Sequence, residues 1–366
     1  MSTSFNKNVL KAMKAATQGY LSFDRTPKGM LRADLSENVF GPSPKVLRYL
    51  KDRTYDISKY PVKQTVALRQ AISKRYEISQ DHILVSSGID TLISIIVHGC
   101  TNPGETVVAV VPTFYRLLEW SRLGGLDVVK IPLRHADQFE FTDQTRDAVV
   151  AQSRKADAKI VWLCNPNNPA GTVIPLSHIR QIAQSLPNSW IIVDEAFYES
   201  LGENNNLSAR QLLKKLPNVV VLRTLSKYGL ASIRCGFLMG NKKLVRYLSA
   251  IASPFAISGI SAELAVVALS DQKYIKSIAA KTRVLRNELT KNIRSLPSIE
   301  LGSDSQTNVI LLRHKTNDLF SELKKQKILS ADFRNIEGLE GMGFVRITIQ
   351  REGNNKKIVA ALKKIH

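Results

Sequence analysis

A lysine that follows an apolar strand and two hydroxyl residues, with an arginine seven positions later, is equipped to hold a phosphorylated aldehyde. The segment is Arg223-Thr224-Leu225-Ser226-Lys227-Tyr228-Gly229-Leu230-Ala231-Ser232-Ile233-Arg234, preceded by Val219-Val220-Val221-Leu222. Lysine amines form Schiff bases with aldehydes. Hydroxyls and a guanidinium suit a phosphate. Pyridoxal phosphate (PLP) is an aldehyde that carries a phosphate. In a chain with 52 Lys and Arg the segment by itself reads equally well as an exposed basic loop.

Four further motifs weigh on that choice. Ser86-Ser87-Gly88-Ile89-Asp90 sits at a predicted strand-to-helix turn, where glycine permits close approach and the helix N-terminus offers N–H groups to a phosphate. A plain serine-rich helix cap fits it as well. Pro112-Thr113-Phe114-Tyr115 follows a strand, and Tyr115 could stack on a cofactor ring or simply pack in the core. Asn165-Pro166-Asn167-Asn168-Pro169-Ala170-Gly171 is a rigid loop, suited to holding an amide against a ring hydroxyl. Asp194-Glu195-Ala196 ends an apolar strand, where a buried acid needs a partner. A pyridinium nitrogen would be one, and would make the ring an electron sink. A helix cap is the plainer role.

The elements that must position these residues alternate. Strands are expected at 83–85, 107–111, 127–131, 158–164, 190–194, 219–222 and 236–239. Helices are expected at 90–98, 114–122, 176–185 and 208–216. Val- and Ile-rich strands separated by helices predict a mostly parallel sheet covered on both faces. The motifs cluster at the C-terminal ends of the strands, where open α/β sheets bind ligands. After Pro254 the pattern changes to a long helical region, 261–296, then strands at 307–312 and 344–350 with helices at 318–326 and 354–363. The expected organisation is an N-terminal arm (1–33), a large α/β domain (34–252) whose first loop also contributes to the small domain, and a small α+β domain (253–366).

Composition narrows the classes. Hydrophobic residues make up 44% and charged residues 23%, as in ordinary globular proteins. No apolar run reaches bilayer length, so no membrane is expected. The net charge is +21, but basic residues are spread along the chain without a nucleic-acid motif. Pairs such as Lys242-Lys243 and Lys363-Lys364 read as solvated faces, and nucleic acid is not an expected partner. Cys100, Cys164 and Cys235 are scattered, which gives no metal site and fits a reducing, cytoplasmic setting. Phe5, Val9, Leu10, Met13 and Ala16 recur at helical spacing in the arm. They suggest an amphipathic helix that packs on another element or subunit.

Taken together, the five motifs resemble those of PLP-dependent aminotransferases of fold type I, classes I and II. Within that group the chain is most similar to histidinol-phosphate aminotransferases, from Asp34 to its end. The resemblance implies a PLP cofactor and a set of roles. Lys227 would hold the cofactor as a Schiff base and then carry the proton. Asp194 would pair with the ring nitrogen, Asn168 with the ring oxygen, and Tyr115 would stack on the ring. Thr224, Ser226, Arg234 and the backbone of Ile89 and Asp90 would hold the phosphate. Tyr60 would reach the phosphate of a neighbouring subunit, which implies a homodimer. Arg346 would bind the donor carboxylate. The segment 36–44, with Asn38, would close over the substrate. The implied reaction moves an amino group between an amino acid or amino phosphate and a 2-oxo acid such as 2-oxoglutarate.

Departures bear on the substrate. Phe197 stands where the family has tyrosine, so either Tyr198 takes over its hydroxyl role or Asn168 acts alone. Ala331 stands near the position where histidinol-phosphate enzymes have a phosphate-binding arginine, so either Arg334 reaches the same site or the substrate carries no phosphate. A decarboxylase of the threonine-phosphate type needs the same lysine and is the nearest rival. The Asn168 loop and Arg346 weigh against acyl-transferring relatives. A basic PLP-fold regulator would carry an extra DNA-binding domain, for which the stretch before Asp34 is short.

Overall fold

The computed structural model describes residues 7–9, 29–55, 57–202 and 207–365. Most of the amphipathic arm lies outside the described residues, so the arm helix is not followed further. In chain order the strands are β1 (Leu31–Arg32), β2 (Ile83–Ser86), β3 (Thr106–Val111), β4 (Asp127–Pro132), β5 (Ile160–Cys164), β6 (Trp190–Asp194), β7 (Val219–Thr224), β8 (Gly236–Met239), β9 (Ile299–Leu301), β10 (Val309–His314), β11 (Ile328–Leu329), β12 (Ala331–Asp332) and β13 (Val345–Thr348). The helices are α1 (Pro44–Asp52), α2 (Val62–Tyr76), α3 (Ile89–Cys100), α4 (Tyr115–Leu123), α5 (Asp143–Lys155), α6 (Leu176–Ser185), α7 (Lys242–Ser249), α8 (Gly259–Ser270), α9 (Gln272–Arg294), α10 (Leu319–Lys325) and α11 (Glu352–Leu362).

A seven-stranded sheet runs in the order β2-β8-β7-β6-β5-β3-β4. Its strands are parallel except β8, which is antiparallel to both neighbours. Both faces are buried, which explains the continuous apolar runs. Along β5, Ile160 and Trp162 enter one core while Val161 and Leu163 enter the other. β7 divides the same way, with Val219 and Val221 on one face and Val220 and Leu222 on the opposite one. The alternation follows from the two-residue period of a strand.

A second, four-stranded antiparallel sheet has the order β12-β13-β10-β9. It packs with residues of α9, α10 and α11 in a third core. β1 adds in parallel to β11, and Ala33 exchanges hydrogen bonds with Leu329 and Thr348. The last residues of the expected arm are thus stitched to the smaller sheet.

Two expected helices differ. Residues 208–216 form only a short 3-10 turn, Ala209–Leu212. The buried Glu195 carboxylate accepts from the Ala209 N–H at 2.7 Å and from the Ser208 hydroxyl, which anchors the turn tightly. The stretch 261–296 breaks at Asp271, whose side chain caps α9 by accepting from the Tyr274 N–H. No helix of the described residues is long and apolar enough to cross a membrane.

Candidate active site

The register of the parallel strands gathers the motifs at one edge. Cys164 of β5 pairs with Asp194 of β6, and Asp194 with Leu222 of β7. The loops that leave these strands therefore start side by side, with the β2–α3 turn beyond β8. They surround a cavity of about 660 Å³. Its wall includes Ile89, Asp90, Tyr115, Asn168, Asp194, Thr224, Ser226, Lys227, Arg234 and Arg346. Ten of the sequence candidates thus meet in one place.

Lys227 lies in the turn Ser226–Tyr228. Its ammonium donates to Ser36 Oγ at 2.7 Å and to the Ser36 carbonyl at 3.0 Å. Burial pushes its pKa down to about 7, and the nearby Arg346 and Arg234 push the same way. Glu37 and Asp194 oppose that shift. About half of the amine is therefore neutral near pH 7, and neutral amine is the form that attacks a carbonyl.

Asp194 is 2% exposed. Burial raises its pKa to about 6, against the Ala196 N–H and Lys227, which favour the charged form. The Ala196 N–H donates to Oδ1 at 2.9 Å. A carboxylate at the wall of a cavity, kept uncomfortable by burial, is suited to a cationic ligand group. Behind it, Arg223 is buried between Glu195 at 2.6 Å and Glu199 at 3.0 Å, with its guanidinium 3.8 Å from the Tyr198 ring. That network fixes the end of β6 from the side away from the cavity.

The Asn168 loop is held by its own side chains. Asn167 donates to the Pro112 carbonyl at 2.9 Å and accepts from the Ala170 N–H. Asn165 accepts from the Ile174 N–H at 2.8 Å. Asn168 Oδ1 then accepts from Arg346 Nη1 at 2.7 Å, and Arg346 Nη2 donates to the Asp34 carbonyl at 2.5 Å. Arg346 is 1% exposed and rests on the Phe333 ring.

At the opposite end, Gly88 opens α3 with φ +95°. A Cβ there would stand 2.8 Å from Arg234 Nη2. The first turn of α3 and the Arg234 guanidinium thus face each other with no intervening side chain, an anion cradle of helix N-terminus and cation. The Thr224 hydroxyl lies 3.0 Å from Ser226 Oγ and 3.1 Å from the Cys235 carbonyl. The Asp90 side chain accepts from Arg116 at 2.6 Å and from Trp120 at 3.1 Å. Tyr115 opens α4 with its ring edge-on to Phe114.

Three sequence candidates stand apart from this wall. Tyr60 is 75% exposed and stacks on Phe255 at 4.4 Å. Asn38 borders a neighbouring small cavity, shared with Lys227 and Glu37, and its Oδ1 accepts from the Phe40 N–H. Arg334 is held by Asp332 and Asp318, each at 2.6 to 2.7 Å, and its guanidinium sits over Phe320. Ala331 lies directly across from Arg346 in the β12–β13 pair. Phe197 lines the cavity with its ring 4.8 Å from Lys227 Nζ, while Tyr198 lies under Arg223 and not in the wall. Sequence reasoning missed Ser36, Glu37 and Arg116, which also line the cavity. Only the position of the first two in the 36–44 segment hinted at them.

The pieces fit PLP: a buried amine of low pKa, a buried carboxylate, an amide and an anion cradle between Arg234 and the helix start at Gly88. Among the described residues no cluster suited to a metal ion occurs.

Comparison with known proteins agrees. The family model for aminotransferase class I and II matches residues 33–365. A histidinol-phosphate aminotransferase of Trichormus variabilis is 31% identical, over 97% of this chain and 98% of its own. The structure of histidinol-phosphate aminotransferase from Sinorhizobium meliloti, in complex with pyridoxal-5'-phosphate, has a TM-score of 0.80 at 23% identity and covers 92% of this chain and 91% of that one. The L-threonine-O-3-phosphate decarboxylase of Porphyromonas gingivalis has a TM-score of 0.79 at 23% identity, covering 92% and 99%.

Proposed function

We propose, for a chain that belongs to the class I and II aminotransferases and is therefore a PLP-dependent enzyme, that it moves an amino group between an amino acid or a histidinol phosphate-like amino phosphate and a 2-oxo acid such as 2-oxoglutarate. The observation that carries this reading is the convergence of Lys227, Asp194, Asn168, Arg234 and Arg346 on one cavity. The near full-length similarity to a histidinol-phosphate aminotransferase supports the choice of donor.

When bound, PLP supplies an electron sink that stabilises negative charge at the substrate Cα. Arg234, the Gly88 turn and the Thr224 and Ser226 hydroxyls would hold its phosphate. Asp194 would keep the ring nitrogen protonated, and Asn168 would hold the ring oxygen. Lys227 would hold the cofactor through its amine, and the neutral Nζ would serve as the base for the substrate Cα proton. Its depressed pKa keeps that form available. Arg346, oriented by Asn168 and Asp34, offers its remaining face to a substrate anion. Phe197, whose ring lies 4.8 Å from Lys227 Nζ, would keep water from that side of the amine.

A homodimer belongs to the same reading. Exposed Leu47, Leu50, Ile57, Tyr60, Tyr247, Ile251 and Phe255 supply an apolar surface, and Tyr60 would complete the phosphate site of the partner.

The test is a donor screen on the PLP-loaded protein with 2-oxoglutarate. Histidinol phosphate is expected to give glutamate at the highest kcat/KM, ahead of aromatic amino acids and threonine phosphate. Carbon dioxide without glutamate would turn the reading to decarboxylation. Lys227→Ala is expected to abolish the covalent linkage and the reaction.

A further inference from the structure

We infer that Ser36 is the positioning residue for Lys227, holding the ε-amino group with its hydroxyl and its own carbonyl together. The inference rests on the proposed role of Lys227 as the reactive amine.

The contacts are specific. Lys227 Nζ lies 2.7 Å from Ser36 Oγ and 3.0 Å from Ser36 O. A neutral primary amine has two N–H bonds and one lone pair. With both N–H bonds directed to Ser36, the lone pair lies on the side away from it. That lone pair is what attacks a carbonyl carbon or takes a proton. A lysine side chain has four flexible bonds and keeps such an orientation only when its end is held.

The backbone points the same way. Ser36 has φ +54°, in the left-handed region that residues other than glycine seldom adopt. Such a conformation is strained and persists where the surroundings impose it. Here the Ser36 N–H donates to Thr348 Oγ1 at 2.8 Å, and its carbonyl also accepts from Asn308 Nδ2 at 3.1 Å. The residue is only 5% exposed. In this conformation its hydroxyl and carbonyl converge on one nitrogen. Thr348 belongs to β13 and Asn308 immediately precedes β10, so the smaller sheet fixes the acceptor while β7 presents the amine.

The charged groups around Lys227 do not supply this orientation. Asp194 and Glu37 favour its protonated form, and Arg346 and Arg234 oppose it. Ser36 adds uncharged acceptors, which favour the ammonium modestly. Removing the hydroxyl is therefore expected to lower the pH at which the amine becomes neutral, while loosening its direction.

The experiment compares apoenzymes of wild type, Ser36→Gly and Ser36→Asn. It records the rate of covalent loading with PLP across pH by absorbance, together with melting temperature. Glycine accepts φ +54° without strain, so Ser36→Gly removes the hydroxyl with the fold retained. The expected result is a Ser36→Gly protein that melts no lower than wild type. It loads about tenfold more slowly at pH 8, the worth of one hydrogen bond to a chargeable group. Its acid limb moves to lower pH. Ser36→Asn, which tolerates the left-handed region and keeps a side-chain acceptor, should recover most of the rate. A Ser36→Gly protein that loads at the wild-type rate with an unmoved acid limb overturns the inference, and so does a slower rate matched by a fall in melting temperature. A wild-type apoenzyme that takes up no PLP overturns the proposed function itself, which separates the two failures.

Discussion

At the scale of single residues, Asp194 is held in the form its environment disfavours. A carboxyl whose folded pKa lies above its unfolded value binds its proton more tightly in the folded state. Its charge therefore weakens the fold above about pH 6, and this penalty disappears as pH falls below 3.8. The distance from 3.8 to about 6 corresponds to roughly 3 kcal/mol. Asp194→Asn should thus raise the melting temperature of the apoenzyme at pH 8, with the gain shrinking as pH falls toward 4. Lys227, with a pKa near 7, is largely neutral at pH 8 and loses little from the change. The same variant should bind PLP poorly and lose transaminase activity by about a hundredfold or more, the cost of removing a preorganised charge. Thermal melts across pH, with and without PLP, check both signs. An apoenzyme destabilised at pH 8 would show that Asp194 has a counter-ion within the protein.

Among elements, the turn between β2 and α3 carries the sharpest constraint. Gly88 combines a left-handed φ with a 2.8 Å approach to Arg234. Gly88→Ala would strain the backbone by about 1 kcal/mol and displace the guanidinium from the helix N-terminus. The expected outcome is a folded protein whose affinity for PLP falls about tenfold or more, while its apo melting temperature drops only slightly. Titration of the apoenzyme by absorbance measures the first, and calorimetry the second. The turn was legible in the sequence, because Ser86-Ser87-Gly88 interrupts an apolar strand just before an amphipathic stretch. Residues 208–216 were not. Their apolar spacing suggests a helix, and only the buried Glu195 carboxylate reveals why the chain is drawn into a short turn.

For the whole molecule, the question is where Tyr60 acts. It is far more exposed than a functional aromatic in a complete site would be, and it stacks on Phe255, itself 41% exposed. In a homodimer of twice 40.8 kDa both rings would be covered. Light scattering after size exclusion should give that mass. Tyr60→Ala and Lys227→Ala proteins, each weakly active or inactive alone, should regain activity when mixed and allowed to exchange subunits. The heterodimer then holds one site with an intact lysine and the tyrosine of the other chain. Absence of recovery despite subunit exchange would place Tyr60 in its own subunit's chemistry or outside it.

The amino-acid sequence by itself determined the alternation of strand and helix, the mostly parallel sheet and the identity of the chemical groups, since these follow from local periodicity and from residues whose types have few other uses. Tertiary structure decided which groups meet. Strand register placed Asp194 beside the Asn168 loop and the Lys227 turn. The β12–β13 pair set Ala331 across from Arg346, and Asp332 and Asp318 drew Arg334 away from the cavity wall. Above all, it set Ser36 against Lys227, 191 residues apart along the chain. No local pattern encodes that contact, because the smaller sheet holds one partner and the larger sheet presents the other.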